Sequence, residues 1–168
     1  MVAGVVALTA FPAAAGTAAA SSKSPSPAQI RRAVRHAERS SALWATVNIC
    51  DTPKFPHVIG IRGEMPALGF GAKLRMTFMI DYAAGNGFKP LRGVADAINL
   101  GAATSGVYQG GVRFTFGPHA GALRGRARFS WRVGKRTVGT VIRITTAGHH
   151  GASYGDPRGF SAARCSIA

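Results

Sequence analysis

Residues 124–146, RGRARFSWRVGKRTVGTVIRITT, decide the fold. Gly125, Ala127, Phe129, Trp131 and Val133 alternate with Arg124, Arg126, Arg128, Ser130 and Arg132. A period of two belongs to a β-strand with one buried face. The apolar set is predicted inward and the arginines outward. A slip of one residue would bury four guanidinium groups and expose a Phe and a Trp, and each unpaired buried charge costs several kcal/mol. Gly134-Lys135-Arg136 supplies a tight turn into a returning strand over 137–146. Ile142 and Ile144 are expected to continue the apolar face there, and Arg143 to extend the arginine patch, according to register.

The same period recurs along the chain. Residues 42–51 alternate Leu43, Ala45, Val47 and Ile49 with Trp44, Thr46, Asn48 and Cys50, and Asp51-Thr52-Pro53 and Pro56 then break the strand. A second strand is predicted over 58–64, shortened by Gly60 and Gly63. The cleanest alternation is Leu74, Met76, Phe78, Ile80 and Tyr82, all assigned to the core, and Gly85-Asn86-Gly87 is a turn signal. Weaker strands are predicted at 94–100 and around Val112, Phe114 and Phe116. A Gly/His/Pro-rich loop covers 147–159, and a short last strand, about 160–167, carries Cys165. Seven or so strands at spacings near ten residues read as an all-β, immunoglobulin-like two-sheet β-sandwich, with a small closed barrel as the alternative.

Residues 2–20, VAGVVALTAFPAAAGTAAA, carry no charge and end in an A-x-A arrangement at Ala18-Ala19-Ala20. They read as a signal peptide cleaved after Ala20, so the mature protein is expected outside the cell. No Lys or Arg precedes Val2, and a start upstream of Met1 would account for that. Pro12, Gly16 and the many small residues argue against a membrane helix, and no later apolar run approaches the roughly 20 residues of a span. Residues 21–40 are a basic Ser/Pro linker. Within them Ile30, Ala33, Val34 and Ala37 fall on one helical face, opposite Arg31, Arg32, Arg35 and Arg39. A helix of about 13 residues with an alanine face is expected to fray alone. The β-domain is placed at 41–168.

Two cysteines, Cys50 and Cys165, lack metal-ligand spacing, and an oxidising compartment would pair them. The bond would tie the first strand to the last. It would not repeat the antibody arrangement, in which an interior bond packs on a Trp.

Lys and Arg number 21 against six Asp and Glu, a formal charge of +15. Such a field attracts polyanions: nucleic acid, anionic lipid or acidic wall polymer. Arg, Ala and Gly also have GC-rich codons, so genome composition alone would give the same bias.

The segments LWATVNICDTP (43–53), GIRGEMP (60–66), the hairpin 124–146, TTAGH (145–149) and GFSAARCSI (159–167) together resemble a family of uncharacterised exported proteins of high-GC Gram-positive bacteria. The resemblance spans roughly 43–167. It implies export, a β-sandwich and a Cys50–Cys165 bond, and it brings no functional residues with it.

No set of residues meets the demands of catalysis. The G-x-S-x-G string GASYG (151–155) falls inside the predicted Gly/His/Pro-rich loop and not at a strand-to-helix turn, so it does not read as a nucleophile elbow. Glu64 and Asp81 would need to face each other to serve as a carboxylate pair, but Asp81 is expected outward and Glu64 beside a loop. His149-His150 with Asp156 falls short of the three or four ligands of a zinc site, so no metal or cofactor is expected. Trp131 reads as core, and Trp44 as a partly exposed aromatic. Arg124, Arg126, Arg128, Arg132 and Arg143 form the candidate polyanion face, suited to bidentate contacts with phosphate or carboxylate. Their aromatics share the inward side, which argues against specific nucleic-acid recognition by base stacking. The expectation is a secreted, non-enzymatic interaction module of the cell envelope. The alternative is a small secreted enzyme or inhibitor with a loop-built site.

Overall fold

The computed structural model describes residues 24–168. The predicted signal segment, 2–20, and the first residues of the linker lie outside that range. One helix and eight strands follow in order: α1 (Pro27–Glu38), β1 (Trp44–Thr52), β2 (Phe55–Pro66), β3 (Ala72–Ala84), β4 (Gly87–Ala103), β5 (Val107–Thr115), β6 (Gly121–Val133), β7 (Arg136–Ile144) and β8 (Cys165–Ile167). They form an all-β sandwich of two antiparallel sheets. The smaller is β1-β2-β5. The larger runs β4-β3-β6-β7, and β8 pairs with the start of β6.

Inward side chains of both sheets fill the space between them. Ile59, Ile61 and Met65 come from β2, Met76, Phe78 and Ile80 from β3, and Phe129 and Trp131 from β6; each is fully buried. The Trp131 indole N–H donates to the Pro66 carbonyl at 2.8 Å, so its one polar atom is satisfied inside. β2 runs straight through Gly60 and Gly63, which the sequence suggested would shorten it. Close approach explains the glycine at 63: a Cβ there would lie 3.1 Å from the Phe129 ring. Tyr82 is a correction. It continues the inward parity of β3, yet it is 38% exposed, because it lies by the β3–β4 turn beside Lys89.

Cys50 and Cys165 are bonded, with Cα atoms 5.3 Å apart. The bond joins β1 of the smaller sheet to β8 of the larger one, so it crosses the sandwich. Its loop of 115 residues corresponds to about 4–5 kcal/mol in the chain-entropy model.

The linker helix departs from expectation. Instead of fraying, α1 docks on the inner side of β7, with Val34 and Ala37 buried in the core. Ser26 and Gln29 form a reciprocal capping box, and Pro27 occupies the first turn. The larger sheet is wider than the smaller, and the apolar stripe of α1 covers inner surface that the smaller sheet leaves open.

β7 holds a second correction. Opposite residues share a face, and the ladder pairs Ala127 with Arg143, Arg128 with Ile142 and Arg126 with Ile144. Ile142 and Ile144 therefore lie on the arginine face, 43% and 44% exposed, while Arg143 lies on the inner side. The cause is one irregularity between Trp131 and Arg132, where the partner jumps from Gly139 to Thr137 and leaves Val138 as an extra residue. An unbroken ladder from the turn would have placed Ile142 opposite Ala127, as the sequence suggested.

Candidate functional site

The outer face of the larger sheet is built by β6 and β3. β6 sends Arg124, Arg126, Arg128 and Arg132 outward, and Ala127, Phe129 and Trp131 beneath them are 0% exposed. In the neighbouring register Lys73 stands opposite Arg132, Arg75 opposite Ser130, and Asp81 opposite Arg124. Cross-strand partners on one face lie about 5 Å apart, so Lys73 and Arg75 belong to the same patch. Their alternation with Leu74 and Met76 is visible in the sequence; the pairing of β3 with β6 is not.

Asp81 divides the patch. It faces outward, yet it is only 2% exposed, because two guanidinium groups cover it. Arg126 Nε lies 2.6 Å from one carboxylate oxygen, and an Arg124 terminal nitrogen lies 3.0 Å from the other. Arg124 also stacks over the Phe88 ring, 4.6 Å from its centroid. The arginines expected to be uniformly exposed thus fall into two classes. Arg124 and Arg126 are three-quarters covered and committed to Asp81. Arg128 and Arg132 are exposed, as are Lys73 and Arg75, and among the described residues none of these four pairs with a carboxylate.

Arg143 is not part of this face. Its guanidinium donates to the Glu38 carbonyl at the last turn of α1. There it satisfies a helix-end acceptor and opposes the negative end of the helix dipole.

The opposite surface of the sandwich, the outer face of β1-β2-β5, is partly roofed by the loop after β7. Trp44 and His149 stack with ring centroids 4.4 Å apart at 11°. The Trp44 indole N–H donates to Glu64, and the Gln109 amide donates to the other Glu64 oxygen. Glu64 and Asp81 therefore lie on outer faces of different sheets and do not form a pair. Burial pushes the His149 imidazole below its ordinary value; Glu64 opposes this shift and His150 adds to it. The remaining candidate metal-site groups are engaged separately. His150 Nδ1 meets the Gly159 carbonyl at 3.0 Å, and Asp156 accepts from the Thr52 hydroxyl at 2.6 Å. Asn48 donates to the Ser153 and Tyr154 carbonyls and pins the loop to β1. No helix among the described residues is long and apolar enough to cross a membrane.

Comparison with known proteins yields no relative: no protein-family model, curated protein or solved structure matches this chain.

Proposed function

We propose that the mature chain is an exported, non-enzymatic interaction module of the cell envelope, and that it holds anionic polymers on the outer face of its larger sheet. The observation that carries this reading is the set of four exposed cations, Lys73, Arg75, Arg128 and Arg132, none of which pairs with a carboxylate among the described residues. They stand on two adjacent strands of a packed sheet, so a polymer meets a rigid array rather than flexible tails. Ile142 and Ile144 border the array and offer apolar contact to the backbone of a wall polymer. Export is supported by the uncharged segment 2–20 and by the disulfide. The competing enzyme reading needs converging acid and base groups. The loop residues available for it, His149, Ser153 and Asp156, are instead engaged by Trp44, Gln109 and Thr52.

Salt-gradient elution from heparin and from immobilised teichoic acid tests the proposal. Neutralising a polyanion releases its counterions, so retention should fall steeply with salt. Arg128→Ser/Arg132→Ser should elute clearly earlier than an equally discharged control, Arg31→Ser/Arg35→Ser, on the exposed face of α1. Equal shifts in the two variants would leave only non-specific charge and overturn the proposal.

A further inference from the structure

A second surface, remote from the arginine face, has the form of a ligand site. A cleft of about 350 Å³ opens on the outer face of the smaller sheet, between the β1–β2 turn and the loop around Tyr154. That volume lies in the range of small-molecule sites, roughly 300–1,000 Å³. Three cations line it: Lys54 from the turn, Arg62 from β2 and Arg113 from β5. Asp156 is the one carboxylate in the lining, and the Thr52 hydroxyl occupies one of its oxygens at 2.6 Å.

Arg62 is the centre of the cleft. It stands opposite Gly111 on β5, and a Cβ at Gly111 would lie 3.0 Å from Arg62 Nε and 3.2 Å from Cζ. The missing side chain lets the guanidinium lie flat on the β5 backbone. Arg62 Nε donates to the Ser153 carbonyl at 3.1 Å, and Cζ lies 4.9 Å from the centre of the Tyr154 ring. One edge and one face of the guanidinium are thus fixed. Its terminal N–H groups have no carboxylate within 4.0 Å among the described residues. Burial pushes the Arg62 guanidinium below its ordinary value, with Tyr154 acting in the opposite sense. A half-buried cation without a counter-charge is stabilised by an anion.

The aromatic residues are placed to complete the site. The Arg113 and Lys54 charges lie 5.0 and 5.3 Å from the Phe55 centroid, so that ring gathers the two outer cations at the mouth. Tyr154 is 83% exposed and sits at φ +58°, a left-handed conformation that a bulky residue adopts at a cost. The strained backbone holds the ring over Arg62, so the exposed surface that Tyr154 retains borders the cleft.

We propose that this cleft binds a carboxylate or phosphate group carried on a small sugar ring. The oxyanion lies against the Arg62 terminal N–H groups between Lys54 and Arg113, and the ring lies on Tyr154. The site is independent of polymer binding by the larger sheet.

Titration of the full mature chain, followed by ¹H–¹⁵N NMR, tests this. Glucuronate and glucose 6-phosphate supply the two anion types, and acetate, inorganic phosphate and glucose supply their halves alone. Saturable shifts are expected at Arg62 Nε–Hε and at the Gly111 and Gly155 amides. Whichever acidic sugar binds more tightly identifies the anion, and it should bind about tenfold or more tightly than either half. Arg62→Gln and Arg113→Gln should each weaken it about tenfold, and Tyr154→Ala several-fold, each with an otherwise native spectrum. Arg128→Ser/Arg132→Ser should bind the sugars as the wild type does, which separates this site from the arginine face. Absence of saturable shifts with both acidic sugars would overturn the proposal. So would inorganic phosphate binding as tightly as glucose 6-phosphate, or unchanged affinity in Arg62→Gln and Arg113→Gln.

Discussion

Arg126 Nε lies 2.6 Å from the Asp81 carboxylate, on the outer face of the larger sheet. The contact turns one side of a cationic patch into a structural ion pair, and it separates stability from binding on that face. Asp81→Asn keeps the shape and removes the charge. Two guanidinium groups then lose their shared counter-ion, although both reach solvent and can rehydrate. The variant should lose about 1–3 kcal/mol of stability in urea denaturation. It should also need more salt to elute from heparin, because Arg124 and Arg126 are released to the face. Lower stability with unchanged elution would mean that the polymer does not contact these strands.

The Cys50–Cys165 bond crosses from one sheet to the other and closes nearly the whole domain. Cys50→Ala/Cys165→Ala should cost about 2–5 kcal/mol, the range for a native disulfide in a small secreted domain. Chemical denaturation of the oxidised, reduced and double-alanine proteins measures it. The reduced and double-alanine proteins should agree. A loss below about 1 kcal/mol would place the stability in the core alone, with little held by the cross-link.

The stack of Trp44 on His149 gives the domain an optical probe of pH. Burial favours the neutral imidazole, so the folded value lies below the ordinary 6.5 and the unfolded chain takes up its proton first. Stability is therefore full above about 6.5 and falls with pH between the unfolded and folded values, then levels off. An imidazolium quenches a stacked indole, so Trp44 emission should drop with a midpoint below 6.5. Trp131, bonded to a backbone carbonyl, should not respond. His149→Phe keeps a ring on Trp44 and should abolish the transition. A transition surviving in that variant would assign it to another group.

Much of the fold was legible because burial imposes a period of two. The sets Leu74–Met76–Phe78–Ile80 and Ala127–Phe129–Trp131 are inward as read, since any other register buries charge. The turns at Gly85-Asn86 and Gly134-Lys135 were legible as turn chemistry, each with a positive-φ glycine. Pairing between distant strands left no such mark. It brings Lys73 and Arg75 beside Arg132, closes Asp81 under two arginines, and carries Arg62 and Arg113, 51 residues apart in sequence, onto neighbouring strands of one cleft. The parity of β7 is hidden from the sequence for a more specific reason. One extra residue, Val138, reverses every side chain beyond it, and nothing in the local sequence forces that insertion. What selects it is tertiary: the shifted register puts Gly139 opposite Trp131 and under α1, and it turns Arg143 toward the carbonyl of Glu38.

That dependence leads to the last prediction. A Cβ at Gly139 would lie 2.6 Å from Val34 Cγ1 and 3.3 Å from the Trp131 ring. The first distance is below any real carbon–carbon contact, and Trp131 is walled in by the core, so α1 must yield. Gly139→Ala should displace or undock the helix while both sheets persist. Hydrogen exchange should then find the amides of Val34 and Ala37 protected no better than those of a short isolated helix. The strand amides of β3 and β6 should stay slow. Val34→Ala removes the clashing methyls at the cost of buried surface. Combined with Gly139→Ala it should restore part of the protection, with a favourable coupling of about 1–3 kcal/mol in the double-mutant cycle. Additive effects, or a Gly139→Ala helix as protected as the wild type, would show that α1 is held elsewhere and that Gly139 does not set the register of β7.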